Sequence, residues 1–261
     1  ISTRDWSSDV CSSDLTPVER RLRALWALLS APGALPDVVA TAARAREPAL
    51  RAWAVRAATE RGLPLPLADD ADPLVRRELA SALQKLPAGS AAELALRLLP
   101  HAEDATDHNL PLLIWYGIEP LVGADPELGL RLAVASRLPK VTEFIYRRLS
   151  TEASGRTRLL GLAARATDLG ARERLLEGLV AGIRQGGAFN PPAEWPAWSK
   201  ALRADAGPNL LALVNELDAL AGDESSRAYF RGHLADPKRS EEHTSELQSR
   251  VDIVCRLLLE K

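Results

Sequence analysis

Apolar residues recur at intervals of three and four along most of the chain between residues 16 and 238. The clearest example begins at Asp72 and Pro73, after which an apolar stripe occupies one helical face at Val75, Leu79, Ala82, Leu83 and Leu86. This spacing matches the 3.6-residue period of an α-helix, whereas β-branched runs and strict alternation are rare. The pattern therefore predicts an all-α protein.

Prolines, glycines and capping residues divide this pattern into about a dozen short helices. Thr16-Pro17-Val18-Glu19 combines a capping hydroxyl, a proline at the first helical position and an acid near the positive helix end, which predicts a helix to about Ser30. Pro120 is expected to kink or end its helix near Trp115 and Tyr116, because proline removes a backbone donor. Further helices are predicted to begin at Pro36, Pro48, Pro73, Leu110, Pro126 and after Pro139, and to span about 91–99, 157–167, 171–185, 192–203, 208–221 and 223–234.

Two of these helix starts share the pattern acid-Pro-x-aliphatic-Arg, at residues 47–51 and 72–76. We expect the acid to cap the helix, the aliphatic residue to enter the core, and the arginine to stay at the surface or to pair nearby. The opening dipeptide recurs at Asp125-Pro126 and Asp236-Pro237. The pattern resembles HEAT repeats, which recur at about 40–47 residues, although these two copies lie 25 residues apart. It predicts a HEAT-like α-solenoid of stacked short helix pairs, with a helical orthogonal bundle as the alternative.

The two ends of the chain depart from this pattern and are related to each other. Asp5–Leu15 (DWSSDVCSSDL) and Arg239–Ser249 (RSEEHTSELQS) can be encoded by reverse-complementary DNA. Both resemble a sequencing-library adapter, and Val254–Lys261 resembles its outer part running into a poly-A tail. We therefore expect residues 1–15 and 239–261 to be translated adapter, and 16–238 to be an internal segment of a longer protein. Residues 1–15 should pack poorly, whereas the C-terminal end can form a helix by propensity.

Setting the ends aside changes the composition. It removes both cysteines, Cys11 and Cys255, and with them any disulfide, thiolate metal site or cysteine nucleophile. The net charge moves from −2 to about +1, which provides no electrostatic case for a nucleic acid or an anionic membrane. The longest apolar run, Leu110–Val122, is too short for a membrane span and contains Glu119. No P-loop, G-x-S-x-G, Rossmann glycine pattern or C-x-x-C-H motif is present.

The most polar cluster runs from His101 to Asn109 and contains two histidines and three acids. Its side chains could supply nitrogen and oxygen ligands to a divalent metal, with His101, Asp107 and His108 as the candidate ligands. However, the spacing does not match an H-E-x-x-H motif, which places its ligands on one helical face. The favoured interpretation is a solvated loop in which Asp107 or Asn109 caps the next helix.

Three residues within about one turn of the following helix, Trp115, Tyr116 and Glu119, could line a pocket. Core packing is the favoured alternative for the aromatic pair, and a buried Glu119 would then need a partner such as an arginine.

Two further pairs are candidates for interaction. Arg147 and Arg148 could contact an acidic partner, although a solvated helix end is favoured. Trp195 and Trp198 are typical of a packed loop that enters a helix, whereas an exposed pair would indicate a binding surface.

The segment His108–Val122, HNLPLLIWYGIEPLV, resembles the helical region of the PVC-type haem-binding, membrane-bound-dehydrogenase-like proteins. The resemblance continues through Asp125-Pro126, residues 136–149, residues 175–178 and Glu194-Trp195, and it covers most of residues 16–238. These proteins join a propeller similar to that of sugar dehydrogenases, a HEAT-like array and a cytochrome c domain with C-x-x-C-H. Only the array matches here. The resemblance thus implies that catalytic residues and haem c belong to other parts of a parent protein that is periplasmic or otherwise extracytoplasmic.

These observations leave three hypotheses for function. The favoured one is a non-catalytic HEAT-like scaffold or spacer that links the propeller to the cytochrome c domain, with neighbouring domains or another protein as partners. The alternative is a stand-alone HEAT-type adaptor for protein–protein interaction. The third is a metal-dependent enzyme with its site around His101 and His108. The favoured hypothesis places no catalytic, cofactor-binding or metal-binding residue in this segment.

Overall fold

A computed structural model describes residues 16–31, 35–185 and 189–235 of the chain. Within these ranges the regular secondary structure is helical and contains no strand, which confirms the prediction of an all-α protein. The predictions for both ends of the chain, including Asp236-Pro237, fall outside the described residues. The α-helices of the described part are α1 Pro17–Ser30, α2 Leu35–Ala43, α3 Pro48–Arg61, α4 Pro73–Ala82, α5 Ala88–Leu98, α6 Leu110–Ala124, α7 Pro126–Ala135, α8 Pro139–Leu149, α9 Ala153–Arg165, α10 Leu169–Arg184, α11 Trp195–Arg203, α12 Pro208–Ala221 and α13 Glu224–Ala235.

Several of the predicted helix starts are stabilised by hydrogen bonds to a capping side chain. The Thr16 hydroxyl accepts from the backbone N–H of Glu19, and the Glu19 carboxylate accepts from the backbone N–H of Thr16, a reciprocal cap that begins α1. Asp72 caps α4 by accepting from the backbone of Leu74 at 2.9 Å. Glu47 makes no such hydrogen bond at the start of α3. The expectation that it caps α3 is therefore wrong.

Several helix boundaries differ from the sequence-based prediction: α5 begins three residues earlier and α11 three residues later than expected, and two further differences involve a proline and a glycine. Helix α6 passes through Pro120 and ends only at Ala124, so this proline does not end the helix. Helix α9 begins at Ala153, four residues before the predicted start, and includes Gly155. A Cβ at this glycine would overlap the backbone carbonyl of Leu149, so the close approach of the two segments requires glycine there.

The chain forms two compact units. Unit 1 comprises the residues up to Leu121 together with Val134–Val141, and unit 2 comprises Val122–Ala133 together with the residues from Thr142 onward. In unit 1, helices α1 to α3 enclose an aliphatic core. Members of this core with less than a tenth of their surface exposed are Leu25, Val39, Ala42, Ala43, Leu50, Ala54, Ala57 and Ala58.

In unit 2, glycines allow helix α10 to pack closely against α8. A Cβ at Gly178 would overlap Tyr146, and a Cβ at Gly182 would overlap the hydroxyl of Ser150 and lie 2.7 Å from the carbonyl oxygen of Arg147. Two glycines four residues apart lie on the same helical face, so they form one smooth contact surface. The crossing of these helices therefore depends on the absence of both side chains.

Arginines near the helix starts of unit 1 bind the loops that precede their own helices. Nη1 of Arg51 donates to the carbonyl oxygens of residues 45 and 46, at 3.1 and 2.9 Å. Nη1 of Arg76 donates to those of residues 70 and 71, at 3.1 and 2.7 Å. In both cases the acceptors lie five and six residues before the arginine. We call this arrangement the arginine clamp.

The clamp recurs in unit 2. Nη1 of Arg156 donates to the carbonyl oxygens of residues 150 and 151, at 2.9 and 3.2 Å, again five and six residues before it. Nε of Arg172 donates at 2.7 Å to the carbonyl oxygen of residue 166, six residues before it. In each case the arginine satisfies loop carbonyls that have no helical donor.

Each unit 1 clamp also binds a carboxylate that comes later in the chain. Arg51 donates to both oxygens of Asp70 at 2.7 and 2.9 Å, and Arg76 donates to both oxygens of Asp104 at 2.6 and 2.5 Å. Only 1% of the Arg76 side chain and 3% of the Asp104 side chain are exposed. The expectation of a surface position for this arginine is wrong, and its partner lies 28 residues away.

Candidate functional site

His101, the first of the three candidate metal ligands, makes two short contacts to carboxylates. The ring Nδ1 lies 2.8 Å from Oε1 of Glu103, and Nε2 lies 3.2 Å from Oδ1 of Asp69. The backbone amide of Glu103 itself and the His101 ring hold the pKa of the Glu103 carboxyl below its usual value. These contacts tie the loop before α4 to the short 3-10 helix Ala102–Thr106.

The other two candidate ligands have different surroundings. Asp107 accepts from the backbone N–H groups of Asn109 and Leu110, at 2.8 and 2.7 Å, and these bonds lower the pKa of its carboxyl. It thus caps α6, as the sequence indicated. His108 is exposed in the same turn. Among the described residues, no three or more His, Cys, Asp or Glu side chains come together in an arrangement that could hold a metal ion.

The acid in this cluster with a clear structural role is Asp104, which the sequence did not single out. Its buried carboxylate holds the guanidinium of Arg76, and Oε1 of Glu103 lies 3.4 Å from Nη2 of the same arginine. Hydrogen bonding to Asp104 raises the pKa of Arg76 further above its ordinary value. This segment therefore anchors the arginine clamp of α4.

The three candidates on α6 differ in exposure. Tyr116 has 59% of its surface exposed, whereas Trp115 and Glu119 are half-buried. The buried aliphatic residues of this helix follow a spacing of four: Leu110, Ile114, Ile118 and Val122. The helix therefore buries one face and leaves Tyr116 on another.

The arginines at the end of α8 are half-buried. Nη1 of Arg148 donates to the hydroxyl of Thr151 at 2.9 Å, and the backbone carbonyl of Arg147 accepts from the hydroxyl of Ser150 at 2.7 Å. Both contacts lie within the last turn of α8 and the loop that follows it.

The tryptophan pair near the start of α11 is packed. Trp195 has 3% of its surface exposed and meets the Phe189 ring edge-on at 5.9 Å between centroids. Trp198 is half-buried and lies close to Gly161 of α9. This placement agrees with the packed-loop interpretation and differs from an exposed pair.

The indole of Trp195 belongs to a hydrogen-bond network centred on Asp218 of α12. Nε1 of Trp195 donates to Oδ1 of Asp218 at 2.7 Å, while the hydroxyl of Ser199 and Nη2 of Arg203 donate to Oδ2 at 2.9 and 2.5 Å. Residues 195, 199 and 203 are spaced by four and therefore share one face of α11. One carboxylate thus holds three consecutive turns of α11 against α12.

A cleft of about 720 Å³ opens beside this network. Its walls include three prolines, Pro191, Pro192 and Pro196, and the half-exposed ring of Tyr229. Asp223 at its edge caps α13, and its hydrogen bonds from Ser225 and the Ser226 backbone lower the pKa of its carboxyl.

Three of the side chains that line this cleft, those of Trp195, Ser199 and Arg203, already donate to Asp218. The Ser199 hydroxyl donates its proton to a carboxylate that Arg203 already neutralises, and no histidine or lysine is among the described lining residues. An activated serine needs an adjacent free base. The four-residue spacing of Trp195, Ser199 and Arg203 could have predicted that they share a helical face. Their common acceptor, Asp218, lies on another helix, and nothing in the sequence near α11 predicts it.

Comparison of the chain with family models, with curated proteins and with solved structures finds no match. In the described ranges, no helix combines the length and the apolar character that crossing a membrane requires.

Proposed function

We propose that this protein is a non-catalytic, HEAT-like α-solenoid segment of a longer chain, in which it joins a dehydrogenase-like propeller to a cytochrome c domain. In that role the helices keep two redox modules at a fixed separation and offer surfaces to a partner protein. The parent protein would act outside the cytoplasm, and residues 1–15 and 239–261 would be translated adapter.

The observation that carries the repeat architecture is the arginine clamp. Arg51, Arg76, Arg156 and Arg172 all bind carbonyl oxygens five or six residues before them, at the starts of four different helices. A device that recurs at equivalent helix positions is what repeated helical units would produce. The four arginines lie 25, 80 and 16 residues apart, so the repeats that we propose are irregular in length.

The polar side chains support a structural role. Asp70, Asp104 and Asp218 each accept hydrogen bonds from arginine, and Asp107 caps a helix. Carboxylates that are bound in this way hold elements together and are not available as bases. The haem itself would be bound outside this segment, because no C-x-x-C-H motif is present to attach it.

A longer sequence of the parent gene tests the domain assignment. We expect an open reading frame that continues through the codon for Lys238 into a region encoding C-x-x-C-H, and that encodes a propeller upstream of Thr16. A natural stop codon soon after Lys238 would refute the redox assignment and favour a stand-alone adaptor.

Removal of both ends tests the adapter assignment separately. A chain of residues 16–238 should keep the melting temperature of the full chain, followed by circular dichroism, because sequence without a biological origin has no selected packing. A marked fall in melting temperature would contradict the assignment.

A further inference from the structure

Three small clefts lie side by side on helices α1, α3 and α4 of unit 1. Their volumes are about 210, 250 and 230 Å³. The first shares Trp53 and Glu60 with the other two, which in turn share Arg56 and Glu78. Because neighbouring clefts have these walls in common, they form one continuous depression, which we call the α1–α3–α4 groove.

One end of the groove carries a pair of tryptophans. The rings of Trp26 and Trp53 meet edge-on, with 5.3 Å between centroids and 67° between planes. Trp26 is 42% exposed, and the guanidinium of Arg56 lies 5.0 Å from the centre of the Trp53 ring. Tryptophan and arginine are the residues that most often carry binding energy at protein interfaces, and this end of the groove presents both.

The charge along the groove is predominantly positive. Four bases line it, Arg56, Arg61, Arg77 and Lys85, against two acids, Glu60 and Glu78. The Arg56–Glu60 pair is about half exposed on both sides and so neutralises its charges only weakly. Such a surface attracts an acidic ligand.

We propose that the α1–α3–α4 groove binds an extended acidic peptide segment, whose aromatic or aliphatic side chain packs on Trp26 and Trp53 while its carboxylates pair with Arg56 and Lys85. This proposal rests on the scaffold function above and names the class of partner. A peptide fits better than a nucleic acid, because its carboxylates can be spaced to meet the bases and avoid Glu60 and Glu78, whereas a phosphate backbone carries charge at every nucleotide.

Fluorescence anisotropy tests the proposal with a labelled peptide of alternating glutamate and serine that carries a central Phe-Leu pair. We expect saturable binding that weakens when salt is raised from about 50 to about 200 mM, since the charged contacts are exposed. The same peptide with lysine for glutamate should not bind, and the peptide with alanine for Phe-Leu should bind roughly tenfold more weakly. Tighter binding of single-stranded oligothymidine than of the acidic peptide would overturn the proposal.

Charge reversal locates the site. Arg56→Glu and Lys85→Glu are each expected to weaken binding roughly tenfold. W26A should bind the Phe-Leu peptide and the peptide with alanine in its place with equal affinity. Arg97→Glu, an exposed arginine on α5 outside the groove, is the matched control and should leave the affinity unchanged. Circular dichroism of each variant checks that a loss of affinity does not come from a loss of folded structure.

The two proposals fail in distinguishable ways. If the folded chain does not bind the peptide, or if Arg97→Glu weakens binding as much as Arg56→Glu, the proposal of a peptide-binding groove is refuted. The domain assignment is then still tested by the sequence of the parent gene. A natural stop codon soon after Lys238 refutes the assignment to a redox protein and does not affect the proposal of peptide binding in the groove.

Discussion

Replacing Asp104 by alanine tests whether the arginine clamp holds unit 1 together. The substitution removes both hydrogen bonds, at 2.6 and 2.5 Å, that the carboxylate accepts from Arg76, and leaves a guanidinium that is 1% exposed without its main counter-charge. Removal of one partner of a buried ion pair costs about 3–5 kcal/mol. Arg76 keeps its bonds to the carbonyls of residues 70 and 71, so we expect the lower end, about 3 kcal/mol.

The assay is urea unfolding followed by far-ultraviolet circular dichroism. With a slope of about 2 kcal/mol per M, the loss corresponds to a midpoint lowered by about 1.5 M. Glu60→Ala is the matched control in the same unit, because it breaks the exposed Arg56–Glu60 pair and should cost less than about 1 kcal/mol. Equal midpoints for Asp104→Ala and Glu60→Ala would refute the reasoning.

A double variant separates the ion pair from the space it fills. Arg76→Met combined with Asp104→Leu replaces both charges by apolar groups, and we expect it to recover most of the stability lost in Asp104→Ala. A double variant as unstable as the single one would show that losing the Arg76 hydrogen bonds to the loop carbonyls costs about as much as leaving the Arg76 charge uncompensated.

Three further substitutions probe other parts of the fold. Asp70→Asn should reduce the acid sensitivity of folding. Burial of Asp70 opposes ionisation, but hydrogen bonds from Arg51 and a backbone amide outweigh it and lower the carboxyl pKa. The ionised carboxylate therefore stabilises the folded state above its unfolded pKa of about 3.9, and this stabilisation is lost as the pH falls below that value. Unfolding titrations at several pH values should therefore show a shallower fall below about pH 4 for the variant, and parallel curves would contradict this. Gly182→Ala should destabilise unit 2 by about 1–3 kcal/mol, because its Cβ would overlap Ser150, whereas G232A in open space should be neutral or stabilising; equal effects in thermal melts would rule out the close packing. Trp195→Phe should cost about 1–3 kcal/mol by leaving Asp218 short of one donor, and an unchanged urea midpoint would show that this hydrogen bond contributes nothing.

The helices were predictable because their signals act within a few residues. The Thr16 cap and the Asp72 cap depend only on the adjacent turn, and the apolar stripe after Pro73 depends only on the helical period. The start of α9 was not predictable in the same way. Glycine has low helix propensity, and the reason for a glycine at residue 155 is the approach of the Leu149 carbonyl, which only the tertiary structure shows.

The partners of the charged residues could not be predicted, because sequence spacing does not determine which loops meet. Arg51 and Arg76 occupy equivalent positions in a repeated pattern, yet their carboxylates lie 19 and 28 residues later. The acids between His101 and Asn109 indicated a solvated loop or a metal site. Burial of Asp104 beneath Arg76 is a third outcome, and it depends on the tertiary packing of that loop against α4.

Helix α3 shows how such a fold can combine a rigid frame with a variable surface. Arg51 holds the preceding loop and Asp70, while Arg56, five residues later, lines the α1–α3–α4 groove. At about 100° per residue, five residues turn roughly 140° around the helix, so the two arginines lie on different faces. Substitutions in the groove can therefore change the bound partner without loosening the clamp. If Arg56→Glu lowers peptide affinity and leaves the urea midpoint of unit 1 unchanged, binding and folding are separable in this helix.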